Sequence, residues 1–120
     1  MPNAIIIADK NERLFNMQDV NITFTEGRIT LTLPGEIDHH AARPIREAVD
    51  GRLYLMKPSE LVMDFSKTVF MDSSGIGLIL GRVEAARAVG ATVSVTGLSP
   101  TLLRLVRLAG LEKIDNLYII

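Results

Sequence analysis

Two hydrophobic periods, one near two residues and one near 3.6, alternate along most of this chain and restrict the folds open to it. Val20, Ile22 and Phe24 alternate with Asn21 and Thr23, and beyond "TEG" Ile29, Leu31 and Leu33 alternate with Thr30 and Thr32. Side chains on a strand point to opposite faces in turn, so this pattern predicts a hairpin with one apolar face. Ile45, Ala48, Val49, Leu53 and Met56 then recur at helical spacing, with Pro44 near the start, where a missing N–H does least harm. "LVMDF", Leu61–Phe65, is short and nearly all apolar, as a strand covered on both faces must be, and so belongs at the centre of a sheet.

A second helix is predicted from Ser74 to about Val89, with Ile76, Ile79, Leu80, Val83 and Ala86 as its apolar stripe and Gly90 as its stop. "ATVSVTG" reads as a strand. Ser99 and Pro100 open a third helix carrying Leu102, Leu103, Leu105 and Val106, Gly110 ends it, and Ile114–Ile119 makes the last strand. Strands alternating with helices imply right-handed crossovers. The expected fold is a single α/β domain: a mainly parallel central sheet with an N-terminal antiparallel hairpin, and helices packed against the sheet. Residues 1–17 lack periodicity and read as an N-terminal extension, in which "AIII" and "RLF" are candidates for an edge strand or a loosely docked segment. The domain proper is expected over 18–120, with no internal repeat or low-complexity stretch.

With 120 residues the chain can bury a real core without covalent staples. It has no Cys, which removes disulfides, thiolate metal sites and cysteine nucleophiles and points to a reducing compartment, by default the cytoplasm. Thirteen Lys and Arg face fourteen Asp and Glu, a net charge of -1, so no global field draws nucleic acid or an anionic membrane. Partner choice must therefore be local. The apolar patch in "MPNAIIIADK" has no preceding cations and does not read as a signal peptide. The run within Ile76–Leu80 falls far short of the roughly 20 residues that span a bilayer.

Chemistry concentrates in "VFMDSSGIGLILGR", Val69–Arg82, which sets Ser73 and Ser74 at the start of the second helix, just after the central strand. Sites in open α/β sheets form at the carboxyl ends of strands, where helix N-termini point free N–H groups outward. Helix capping accounts for one serine hydroxyl and leaves the other unexplained. A nucleophilic serine lacks its elbow, because Met71 rather than glycine stands two residues before Ser73, and the only histidines are the adjacent His39 and His40. Gly75, Gly77 and Gly81 miss the dinucleotide spacing, and no Walker lysine follows. A fourth reading is a phosphoacceptor: phosphorylation would add about -1.5 to -2 charges at a helix N-terminus, beside Asp72. Gly77 and Gly81 leave one helical face bare, for a partner outside or for close packing inside.

The second polar cluster is "PGEIDHHAARP", Pro34–Pro44. A metal site is disfavoured, since neighbouring histidines project differently and no third ligand is spaced for them. Asp38 or a neighbour serves as a cap for the first helix. In the expected topology this loop and the Ser73 loop lie at one end of the sheet.

"GEIDHHAA" followed by "VMDFSKTVFMDSSGIGLILGR" resembles the anti-anti-sigma factors of the STAS class, over about Val20–Ile119. The resemblance implies a binding module rather than an enzyme, with no cofactor. Ser73 matches the family's phosphorylated serine, the first of D-S-[ST]-G. Asp38, Asp72, Ser73, Ser74, Gly75 and Gly77 match positions of its recognition surface, with Asp72 and Gly75 shaping the phosphoacceptor loop. The implied partner is an ATP-using GHKL-type serine kinase that is itself the anti-sigma factor, opposed by a PPM-type phosphatase. Unphosphorylated protein binds the kinase and releases the sigma factor, and phosphorylation ends the contact, in a sporulation or stress pathway without direct nucleic-acid or membrane binding. The alternative is a STAS regulatory module that binds a small molecule or nucleotide in another pathway.

Overall fold

The computed structural model describes residues 6–8, 14–16 and 20–120. Two short strands, β1 (Ile6–Ala8) and β2 (Leu14–Asn16), pair antiparallel in a ladder of their own, instead of supplying an edge to the main sheet. The domain boundary expected after residue 17 lies outside the described residues.

β3 (Asn21–Thr25) and β4 (Arg28–Thr32) form the expected hairpin. Its turn residues Glu26 and Gly27 both have positive φ, 53° and 76°. A two-residue loop of that handedness matches the natural twist of the strands, and glycine at the second position adopts it without steric cost. A two-residue strand, β5 (Glu36–Ile37), leads into α1 (His39–Met56). β6 (Glu60–Asp64), β7 (Phe70–Met71), α2 (Ser73–Ala88), β8 (Thr92–Thr96), α3 (Pro100–Leu108) and β9 (Leu117–Ile119) follow. The main sheet has the order β3-β4-β6-β8-β9, antiparallel only at β3/β4, with the "LVMDF" strand at its centre.

Sheet and helices close over one apolar interior. Ile29, Leu31, Leu61, Met63, Val93 and Val95 from the sheet meet Ile45, Val49, Ile79 and Val83 from the helices, all buried. Each such side chain contributes roughly 1.5–3 kcal/mol when taken from water. Ser99 caps α3 by accepting the Leu102 N–H at 3.2 Å, with Pro100 at the first turn as expected.

The tertiary structure departs from the periodicity in several places. Leu80 is turned toward solvent and Leu78 packs inward in its place, while Met56 is also exposed. α1 starts at His39, so Pro44 falls in its second turn, buried, and not at the helix start. The last strand is only Leu117–Ile119, because a 3-10 turn at Leu111–Lys113 and a left-handed Asn116 (φ 72°) occupy the preceding residues.

One polar link crosses three strands. Glu60 accepts from Ser94 Oγ on β8 and from Arg28 Nε on β4, each at 2.7 Å. The Ser94 hydroxyl first, and Arg28 second, hold the Glu60 carboxyl below its ordinary value. A depressed carboxyl stabilises the fold fully above its unfolded value, and that contribution fades as pH falls through the folded one. Glu60→Gln is therefore expected to lower Tm at neutral pH, with the gap closing in acid below the ordinary carboxylate range. Melting curves for both proteins across pH 3–7 check it.

Candidate functional site

The Pro34–Pro44 and Ser73 loops are brought to one rim, as expected, by a small ladder that the periodicity does not reveal. β5 and β7 pair parallel, Glu36 opposite Phe70 and Ile37 opposite Met71. Ile37 and Met71 point into the core while Glu36 and Phe70 face outward. Val69 N–H donates to the Gly35 carbonyl at 2.8 Å, Asp72 N–H to the Ile37 carbonyl at 3.3 Å, and the buried Thr68 hydroxyl to the Pro34 carbonyl at 2.7 Å. The sites for which Asp38 and Ser73 are candidates thus sit at the ends of adjacent, hydrogen-bonded strands, each at the entrance to a helix.

Aspartates cap both helices. Asp38 Oδ1 accepts the Ala41 N–H at 2.9 Å, and Asp72 Oδ1 accepts the Ser74 N–H at 2.7 Å. Neither Ser73 nor Ser74 is the cap of α2, in contrast to the capping role read for one of them. Aspartate is as good a cap and already stands one residue earlier in extended geometry. Both hydroxyls are thereby released: neither makes a hydrogen bond among the described residues. Ser73 is exposed and Ser74 half-buried.

The glycines divide by direction. Gly75 is buried against Met71, where an added Cβ would lie 2.6 Å from Met71 Sδ and 2.9 Å from Met71 Cβ. It sets the spacing of the loop instead of presenting a surface. Gly77 and Gly81 have no atom within 4 Å of an added Cβ, so the close internal packing considered for that face is absent.

Beside the serines, α1 and α2 run parallel from the rim and enclose a groove of about 470 Å³, lined by Arg43 and Arg46 from α1 and by Ser74, Gly77, Gly81 and Arg82 from α2. Arg82 is the residue that sequence reasoning missed; its only signal was a cation set among apolar positions of the second helix. It is 3% exposed and pairs with Asp50 of α1. Its Nη2 donates to Asp50 Oδ2 at 3.1 Å, Nε lies 2.8 Å from Oδ1 but off the hydrogen-bond direction, and Nη1 has no partner. Burial pushes the Asp50 carboxyl up against the pull of Arg82, and pushes the Arg82 guanidinium down. Val69 and Phe70, on the other side of the serines, are exposed apolar residues that the sequence reading also left unassigned.

The sequence model of the STAS domain matches residues 19–118, nearly the whole chain and both rim loops. The chain belongs to the STAS domain family. An anti-sigma F factor antagonist of Paenibacillus polymyxa is 32% identical to this STAS domain over 103 residues, 86% of this chain and 87% of the relative. Among solved structures, the Bacillus cell fate determinant SpoIIAA in its phosphorylated form superposes with a TM-score of 0.67 at 28% identity, covering 84% of this chain and 90% of that one. The anti-sigma factor antagonist SpoIIAA in its unphosphorylated form gives a TM-score of 0.67 at 25% identity, covering 84% and 86%. Among the described residues of this STAS domain, no helix is long and apolar enough to cross a membrane.

Proposed function

We propose that this STAS domain is an anti-sigma factor antagonist. Unphosphorylated, it binds an anti-sigma factor that is also a GHKL-type, ATP-using serine kinase, and so releases the sigma factor. Phosphorylation of Ser73 ends that binding, and a PPM-type phosphatase restores it. The protein acts in the cytoplasm as a binding module, with no direct contact to nucleic acid or membrane. Asp38, Asp72, Ser73, Ser74 and Gly77 contribute the recognition surface, and Gly75 supports it from beneath. The observation that carries the reading is the release of Ser73: an exposed hydroxyl at a helix N-terminus whose capping is done by Asp72, on the rim it shares with Asp38. A helix N-terminus tolerates a new anion, so modification changes the surface and leaves the fold in place. The likeness to SpoIIAA in both of its forms supports the same switch.

Incubation with the cognate kinase and ATP, followed by mass spectrometry, tests it. One phosphate is expected, on Ser73. Ser73→Ala is expected to take up none and Ser74→Ala to be labelled normally. Phosphate on Ser74, or undiminished labelling of Ser73→Ala, would overturn the assignment.

A further inference from the structure

The groove between α1 and α2 is lined by more cations than the acidic groups behind it cover. Arg43, Arg46 and Arg82 line it, no Asp or Glu does, and this on a chain whose net charge is -1. Arg46 is exposed and makes no ion pair or hydrogen bond among the described residues, and its charge reaches Asp50, one turn on, only at longer range. Arg43 reaches Glu47 only at 3.6 Å. Arg82, buried in the floor, is covered by Asp50 on one edge and keeps Nη1 unpartnered. A buried guanidinium with a donor left over costs free energy unless an acceptor arrives. Opposite Arg43 and Arg46 the α2 wall is opened by two glycines: Gly77 and Gly81 are one turn apart, with open space above both. Glycine in a helix interior is destabilising by roughly 0.5–1 kcal/mol relative to alanine, and it lets another chain approach the backbone closely.

We propose that this groove seats an acidic segment of the anti-sigma partner, its carboxylates on Arg43 and Arg46 and its backbone over Gly77 and Gly81. The inference rests on the reading of the protein as an anti-sigma factor antagonist and names the chemistry of that partner's contact. Arginine forks match carboxylates in a way that single point charges do not. From Ser74 to Gly81 the groove is about 10 Å long at the helical rise, enough for two turns of an incoming helix. Ser74 lines its head, so a phosphate on the neighbouring Ser73 stands where it repels the same carboxylates that the arginines attract. The groove thereby ties the charge of the switch to the affinity of the contact.

The test is calorimetric titration of the cognate anti-sigma kinase with the wild-type protein, Arg46→Glu, Arg46→Lys and Gly81→Asp, at low and high salt. Arg46→Glu and Gly81→Asp are each expected to weaken binding about tenfold or more at low salt, with the Arg46→Glu gap narrowing as salt screens the interaction. Arg46→Lys, which keeps the charge but loses the fork, is expected to fall between the wild type and Arg46→Glu. Melting curves accompany each variant: Tm is expected to be unchanged for Arg46→Lys and Gly81→Asp, since Arg46 is exposed and the space over Gly81 is open, and slightly lowered for Arg46→Glu, whose carboxylate faces Asp50 one turn on. Wild-type binding with equal affinity for Arg46→Glu and Gly81→Asp overturns the groove proposal and leaves the antagonist reading standing. No binding by the wild-type protein overturns the antagonist reading and the groove proposal with it.

Discussion

Phosphorylated on Ser73, the protein is expected to bind its anti-sigma kinase tens to thousands of times more weakly than the unmodified form, with the same fold and nearly the same Tm. On the proposed reading the loss arises where the two proteins meet and not in the fold. Asp72 holds the start of α2 by accepting the Ser74 N–H, so the phosphate displaces no cap and breaks no hydrogen bond among the described residues. Near neutral pH it brings about -1.5 to -2 charges to an exposed position between Asp72 and the head of the arginine groove. In a docked complex that charge must lose water next to a like charge. Uncompensated charges in interfaces cost about 2–5 kcal/mol, which is the stated range in affinity. Ser73→Asp, with one charge and fewer acceptor oxygens, is expected to reproduce the loss only in part. Calorimetric titration of the modified, unmodified and Ser73→Asp proteins decides it; equal affinity before and after modification would sink the switch.

Two alanine substitutions two residues apart are expected to move stability in opposite directions. Gly75→Ala places a methyl group 2.9 Å from Met71 Cβ, closer than carbon atoms pack, and 2.6 Å from the Met71 sulfur. The sulfur end of a methionine can swing aside, but its Cβ moves only with the backbone, so β7 or the first turn of α2 must shift. Overpacking of this kind costs about 1–3 kcal/mol, a fall in Tm of roughly 5–15 °C for a domain of this size. The same shift disturbs Asp72 and Ser73, which lie between the two clashing residues, so slower phosphorylation is expected alongside. Gly77→Ala meets open space and gains helix propensity, raising stability by roughly 0.5–1 kcal/mol. Thermal melts of the two variants test the pair. A Gly75→Ala protein as stable as wild type would mean that the loop has room the geometry denies it, and a destabilised Gly77→Ala would return that face to the interior.

The sequence by itself determined the order of elements, the central place of "LVMDF", the parallel sheet with its hairpin, and the meeting of the Asp38 and Ser73 loops. Each follows from local periodicity, turn residues and the handedness of crossovers, which depend on neighbours in the chain. The two rim motifs were equally legible, because their residue types stand in an unbroken order. Only the tertiary structure decided what faces what. That Asp72 and not a serine caps α2 depends on the backbone angles at the helix entrance, and that Leu78 instead of Leu80 turns inward depends on where α2 sits over the sheet. The β5/β7 ladder is too short to show a period. Gly75 and Gly77 are the same residue type on one helix, yet one abuts Met71 and the other faces open space, a difference of some 200° around the axis that acquires meaning only once α2 is docked. Arg82 needed the fold most of all: its partner Asp50 is 32 residues away on another helix, and only the packing of α1 on α2 makes a buried pair and a cationic groove of them.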